Sequence, residues 1–117
     1  MTPEQLREGL IRSLEGGGEG FTLQDLEERT RAGLARFWLG ERGALVTYIV
    51  DNDEGRSIHV WLGCGDIKEL VQMRVGIEAF ARAHGCQWAT INSRKGWSRG
   101  FANAGFEPDG EQLRKRL

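Results

Sequence analysis

"RSIHVWLGCGDIKELVQMRVGIEAFARAHGCQWATIN", residues 56–92, changes its apolar period twice, and those two changes decide the fold. Residues 56–62 alternate. Ile58, Val60 and Leu62 fall on one face, His59 and Trp61 on the other, as in a strand with two unlike sides. Gly63, Cys64 and Gly65 break the run, and Asp66 is a good N-cap for the helical segment after it. From there Ile67, Leu70, Val71, Ile77, Phe80 and Ala81 recur at helical spacing. Lys68, Glu69, Gln72, Glu78 and Arg82 fall mostly opposite. Gly85 stops the helix, and residues 86–92 read as a second strand. A strand, a helix and a strand in this order form a crossover, so the two strands are expected side by side and parallel.

Upstream, residues 44–50 ("ALVTYIV") are β-branched and aromatic and read as a buried strand. Residues 51–55 ("DNDEG") are a turn, so this strand is expected to form an antiparallel hairpin with 56–62. The first forty residues read as helical. Thr2 caps, Pro3 takes the first helical position and Gln5 reaches back to the cap amide. Leu6, Leu10, Ile11 and Leu14 follow at helical spacing, and "EGGGEG" at 15–20 ends that helix. The glycine loop admits a phosphate-cradling reading, but it lacks the Lys-Ser/Thr ending of a P-loop. A second helix is expected from Thr22, with Asp25 three residues on and Phe21 stapled to Leu26. It would carry Leu23, Leu34, Phe37 and Trp38 to an end near Leu39–Gly40.

Downstream, residues 95–104 read as a short helix ended by Gly105, and Phe106 opens an extended piece. Pro108, Asp109 and Gly110 signal a turn. "EQLRKRL" closes the chain as a charged edge strand. The expected order is α-α-β-β-α-β-α-β: one α/β domain over residues 1–117, helical over 1–40, with a mixed sheet flanked by helices over 44–117.

Composition narrows function. The chain has 117 residues, 39% apolar and 28% charged, which is ordinary for one globular domain. Its net charge of −1 argues against a general electrostatic hold on nucleic acid. No apolar run is long enough to cross a bilayer, and the first ten residues carry no secretory pattern, so a cytoplasmic protein is expected. Cys64 and Cys86 are expected reduced. Neither they nor His59 and His84 stand at a metal-binding spacing, so no metal is expected.

From residue 44 to 117 the chain resembles the GNAT superfamily of N-acetyltransferases in its second half. The residues that carry the likeness are "HVWLGCGD", a helix ending in Ala81-Arg82-Ala83-His84-Gly85, "CQWATIN", "RKGWSRGFANA" and Gly105-Phe106. More closely it is similar to small GNAT-like proteins of tailed phages and prophages. They share the patterns met here from Leu62 to Leu70 and from Gly85 to Arg99. The resemblance implies acetyl-coenzyme A as cofactor. Its pantetheine arm would lie along the strand before the long helix, where that strand splays from its neighbour. Its pyrophosphate would meet the helix start, where unpaired N–H groups and partial positive charge favour anions. Carried over, the cofactor-binding set is Leu62, Gly63, Cys64, Gly65 and Lys68, with Arg94, Lys95 and Arg99 as basic partners.

Two departures from that pattern bear on catalysis. The glycine positions of the pyrophosphate loop fall at Lys68, Glu69 and Leu70, with Asp66 and Glu69 where phosphate oxygens would come. The tyrosine that often protonates the leaving thiolate falls at Phe101, and the asparagine after the strand falls at Arg94.

Each candidate also has a plainer reading. Arg94, Lys95 and Arg99 form either an anion clamp or a solvated helix surface paired with Glu107 or Asp109. Trp97 and Phe101, at i and i+4, stack a ligand or pack the core; Trp61 and Trp88 are core or splay-site aromatics. Cys64 precedes a helix start, a place that lowers a thiol pKa, but Asp66 opposes that effect. His59 is the candidate general base for an amine, against the reading of a satisfied sheet histidine. Glu41, Asp51 and Asp53 cannot be ranked against it from sequence. Two functions follow. One is a phage-type GNAT-like protein with a degraded acetyl-coenzyme A site and a non-catalytic, virion-associated or binding role. The other is an acetyl-coenzyme A-dependent N-acetyltransferase acting on an amine. The acidic helix start and Phe101 favour the first. Partners would be virion proteins or further copies of the chain, with no nucleic acid and no membrane.

Overall fold

The computed structural model describes residues 2–16, 23–33, 35–92 and 97–117. The chain is an α/β protein with a mixed six-stranded sheet and helices on both faces. Its elements are α1 (Pro3–Gly16), α2 (Leu23–Arg31), β1 (Ala35–Leu39), β2 (Gly43–Asn52), β3 (Gly55–Gly65), α3 (Ile67–Ala83), β4 (Trp88–Asn92), α4 (Trp97–Ala102), β5 (Glu107–Asp109) and β6 (Gln112–Arg116). The strand order is β1-β2-β3-β4-β6-β5.

The start of α1 follows its capping box. Gln5 N–H donates to Thr2 Oγ1 at 3.2 Å, and Thr2 N–H donates to Gln5 Oε1 at 2.9 Å. The expected cap and staple at Thr22 and Phe21 lie outside the described residues. The second helix does not reach Leu39. It ends at Arg31, and residues 35–39 form an edge strand instead. The stop is Gly33, whose φ of +76° is the left-handed conformation that closes helices. Its N–H donates to Thr30 O. Beyond it the period is two. Ala35, Phe37 and Leu39 point one way and Arg36 and Trp38 the other.

β2 and β3 form the expected antiparallel hairpin. β3 runs further than expected, through Gly63 and Cys64 to Gly65, because these residues continue to pair with Leu45, Ala44 and Gly43. The register shifts once. Val46 pairs with Leu62 but Thr47 with Val60, so Trp61 is an extra residue, a β-bulge. The bulge corrects the expected face of Leu62. Ile58 and Val60 point to the core under α3, whereas Leu62 joins Trp61 in a second core with Leu6, Leu10 and Leu26 of α1 and α2.

The crossover is as expected: residues 57–60 of β3 lie parallel to 88–91 of β4. Asp66 caps α3 by accepting from Lys68 N–H at 3.3 Å, and Gly85, at φ +78°, follows its end. The charged terminal segment is not an edge. β6 lies between β4 and β5, and the expected turn falls at residues 110–111, with Gly110 at φ +63°, so that Pro108 and Asp109 belong to the short edge strand β5 before it.

Glu78 also differs from expectation. It is 3% exposed rather than on a solvated face. Lys115 of β6 approaches it at 2.8 Å, with Arg74 and Arg82 of its own helix at 3.3 and 3.4 Å. Unpairing a buried carboxylate held by cations is strongly destabilising. Glu78→Gln is therefore expected to lower unfolding free energy by about 1–3 kcal/mol in chemical denaturation. Unchanged stability would mean the ion cluster contributes nothing.

Candidate functional site

The described members of the carried-over cofactor set have different surroundings. Leu62 is buried between β3 and the N-terminal helices. Cys64 lies under α1, with its Sγ–H directed at Leu6 O at 3.5 Å and with Gly9 leaving no room above it. Burial pushes the Cys64 thiol up, more than a hydrogen bond from Ala44 and the charge of Arg12 pull it down, the direction opposite to thiol activation. Gly65 has φ +104°, and a side chain there would collide with the carbonyl of Arg42. Lys68 is exposed on the first turn of α3, and Arg99 is exposed on α4. Arg94 and Lys95 lie outside the described residues. Asp109, one suggested partner for these basic residues, pairs instead with Arg114 at 3.6 Å.

Gly63 is where the structure brings two regions together. It faces the α3–α4 side, beneath the ring of Trp97. A methyl group added there would lie 2.5 Å from Trp97 Cη2 and 2.6 Å from Leu45 Cδ2. One turn on, Gly100 lets α4 close onto α3. A methyl there would sit 3.3 Å from Ile67 and 3.2 Å from Val71. Trp97 and Phe101 thus pack as core aromatics, their ring centroids 6.1 Å apart, with Phe101 1% exposed.

The acids at the start of α3 are also engaged. Both oxygens of Glu69 accept from the backbone N–H of Arg42, at 3.0 and 3.1 Å, and the backbone N–H of Asp66 donates to Arg42 O at 2.9 Å. These bonds fasten the helix start to the β1–β2 turn. The Glu69 carboxylate and the Asp66 backbone therefore serve as fold contacts.

On the opposite face the sheet carries a row of polar side chains. The ladder aligns Tyr48, His59, Thr90 and Arg114 on β2, β3, β4 and β6. Helix α1 covers β3 and β2 further along, and α2 covers β1, leaving a trough of about 220 Å³ over this row. His59 forms its floor. It is 6% exposed, its Nδ1 lies 2.8 Å from Thr90 Oγ1, and its ring lies 5.2 Å from that of Tyr48. Trp88 forms a wall rather than core. The Arg114 guanidinium stacks on it at 3.6 Å and reaches Glu54 at 3.1 Å. Arg116 also lies over Trp88, at 5.2 Å, so two carboxylates, Glu54 and Asp109, stand against two guanidiniums and this wall has no surplus positive charge. Its chemistry is polar and aromatic, without the excess of cations an anion clamp needs. Sequence reasoning singled out His59 but not its neighbours. The signal was present in residues 88–92, where Trp88, Thr90 and Asn92 alternate with buried Ala89 and Ile91.

Among the described residues no cluster of His, Cys, Asp and Glu is placed to hold a metal ion, and no helix is long and apolar enough to cross a membrane. No protein-family model and no curated protein matches the chain. Among solved structures it is similar in fold to wild-type TTHA1254 from Thermus thermophilus. The TM-score is 0.61 at 18% identity, over 93% of this chain and 87% of that one.

The placement of Trp97 over Gly63 is testable by a double-mutant cycle. Gly63→Ala is expected to lower stability by about 1–3 kcal/mol through overcrowding. The loss should shrink by at least about 0.5 kcal/mol in a Trp97→Leu background. Strictly additive losses would place the two residues apart.

Proposed function

We propose that this chain is a GNAT-like binding module, of the kind encoded by tailed phages and prophages, in which the acetyl-coenzyme A groove has been given over to packing. The observation that carries this reading is Trp97 lying over Gly63, on the strand along which a pantetheine arm would run. The residues present do not suit that cofactor. An indole fills the arm's path, α4 closes on α3 at Gly100, and Asp66 and Glu69 hold the helix start with negative charge. The binding surface on this reading is the polar trough over His59, Tyr48 and Thr90, and the role is non-catalytic, in a virion or as an adaptor.

A second reading has one observation in its favour. β3 continues to Gly65 while its parallel pairing with β4 covers only residues 57–60 and 88–91. That overhang is where an acetyltransferase of this superfamily would seat its thioester, with an amine acceptor as substrate and His59 as candidate base.

Isothermal titration of acetyl-coenzyme A and of coenzyme A separates the two. The binding-module reading predicts no heat up to millimolar ligand. Micromolar affinity would overturn it and support the acetyltransferase.

A further inference from the structure

The two edges of the sheet are built differently. β5, at one side, is three residues long, and all three, Glu107, Pro108 and Asp109, are exposed. Two carboxylates and a proline blunt that edge against pairing. β1, at the other side, reads Ala35-Arg36-Phe37-Trp38-Leu39, with a single charge and no proline.

The hydrogen-bond phase of β1 follows from its turn. Gly40 N–H donates to Gly43 O at 2.8 Å, which makes that a hydrogen-bonded pair. Bonded and non-bonded pairs alternate along an antiparallel ladder. Trp38 with Leu45 and Arg36 with Thr47 are therefore bonded. Leu39, Phe37 and Ala35, opposite Ala44, Val46 and Tyr48, are not. The N–H and C=O groups of Ala35, Phe37 and Leu39 point outward, away from β2, and have no strand partner among the described residues. Two of these residues also bear exposed apolar side chains, Phe37 at 39% and Leu39 at 66%. Beside them lies an apolar groove of about 490 Å³ against Leu6, Leu10 and Leu26.

We propose that this edge pairs with β1 of a second copy of the chain, antiparallel across a twofold axis at Phe37, to make one continuous sheet. The outward set is symmetric about Phe37. A twofold there sets Phe37 against Phe37 and Ala35 against Leu39, so every outward N–H meets an outward C=O without a register offset. The rim of the groove carries Arg7 and Arg31 together with Glu27, the mixed signs that a self-facing surface needs. Phe37 and Leu39 of each copy then cover the apolar groove at the seam.

Light scattering on the full-length chain after size exclusion tests this. The expected mass is twice 13.1 kDa. Phe37→Lys and Leu39→Lys should each weaken association by at least about tenfold while leaving the circular dichroism spectrum unchanged. Amide exchange at Ala35, Phe37 and Leu39 should be slow in the wild-type chain and fast in the variants. A monomer at high micromolar concentration with fast exchange at these amides would overturn the proposal. So would a dimer that survives both substitutions in folded protein.

Discussion

The β-bulge at Trp61 is the constraint on which the rest of this structure turns. A strand of regular alternation would keep Leu62 on the α3 face with Ile58 and Val60. One extra residue reverses the phase, because side chains alternate with a period of two. Before the bulge, β3 sends His59 and Ser57 to the open polar face and Ile58 and Val60 to the α3 core. After it, Leu62 and Cys64 anchor α1, and Gly63 turns to the side where Trp97 rests. The N-terminal helices and the packing of Trp97 over Gly63 both depend on this reversal.

The site's electrostatics follow from the same arrangement. Charges at the start of α3 look, in sequence, like repulsion aimed at a phosphate. In the fold they are hydrogen-bond acceptors. Glu69 takes the Arg42 amide and Asp66 takes the Lys68 amide. A helix start capped by Asp66 and carrying Glu69 in its first turn has less of the free amide density and positive potential that draws an anion. In the trough, likewise, Arg114 is held by Glu54 and Asp109 and by the face of Trp88. These cations serve structure, and Glu78 with its three basic neighbours is the buried instance.

Much of the fold is legible in the sequence because local rules agree with tertiary demand. The capping box at Thr2, the cap at Asp66, the stop at Gly85 and the parallel crossover all rest on short-range chemistry, and Trp97 and Phe101 pack inward as their spacing allows. Other features depend on information that periodicity does not carry. Phe37 and Trp38 continue the helical spacing of Leu26 by coincidence, and among the described residues it is the left-handed turn at Gly33 that closes the helix before β1. A bulge leaves no trace in an alternating run, which is why alternation alone puts Leu62 on the wrong face. Glu78 reads as solvated because Lys115, its shortest contact, arrives from a distant strand. Of the candidate site, His59 is legible as a residue but its row is not, since a row across four strands exists only once their register is set.

The central claim is that the groove beside Gly63 is filled by the protein itself. The most direct measurement is a nitrogen-15 correlation spectrum of the full chain with and without coenzyme A, following the Trp97 indole N–H and the amides of Gly63, Asp66 and Lys68. This account predicts that none of these signals moves at millimolar ligand. Saturable shifts confined to these positions would contradict it and would place a working cofactor site where this structure places an indole.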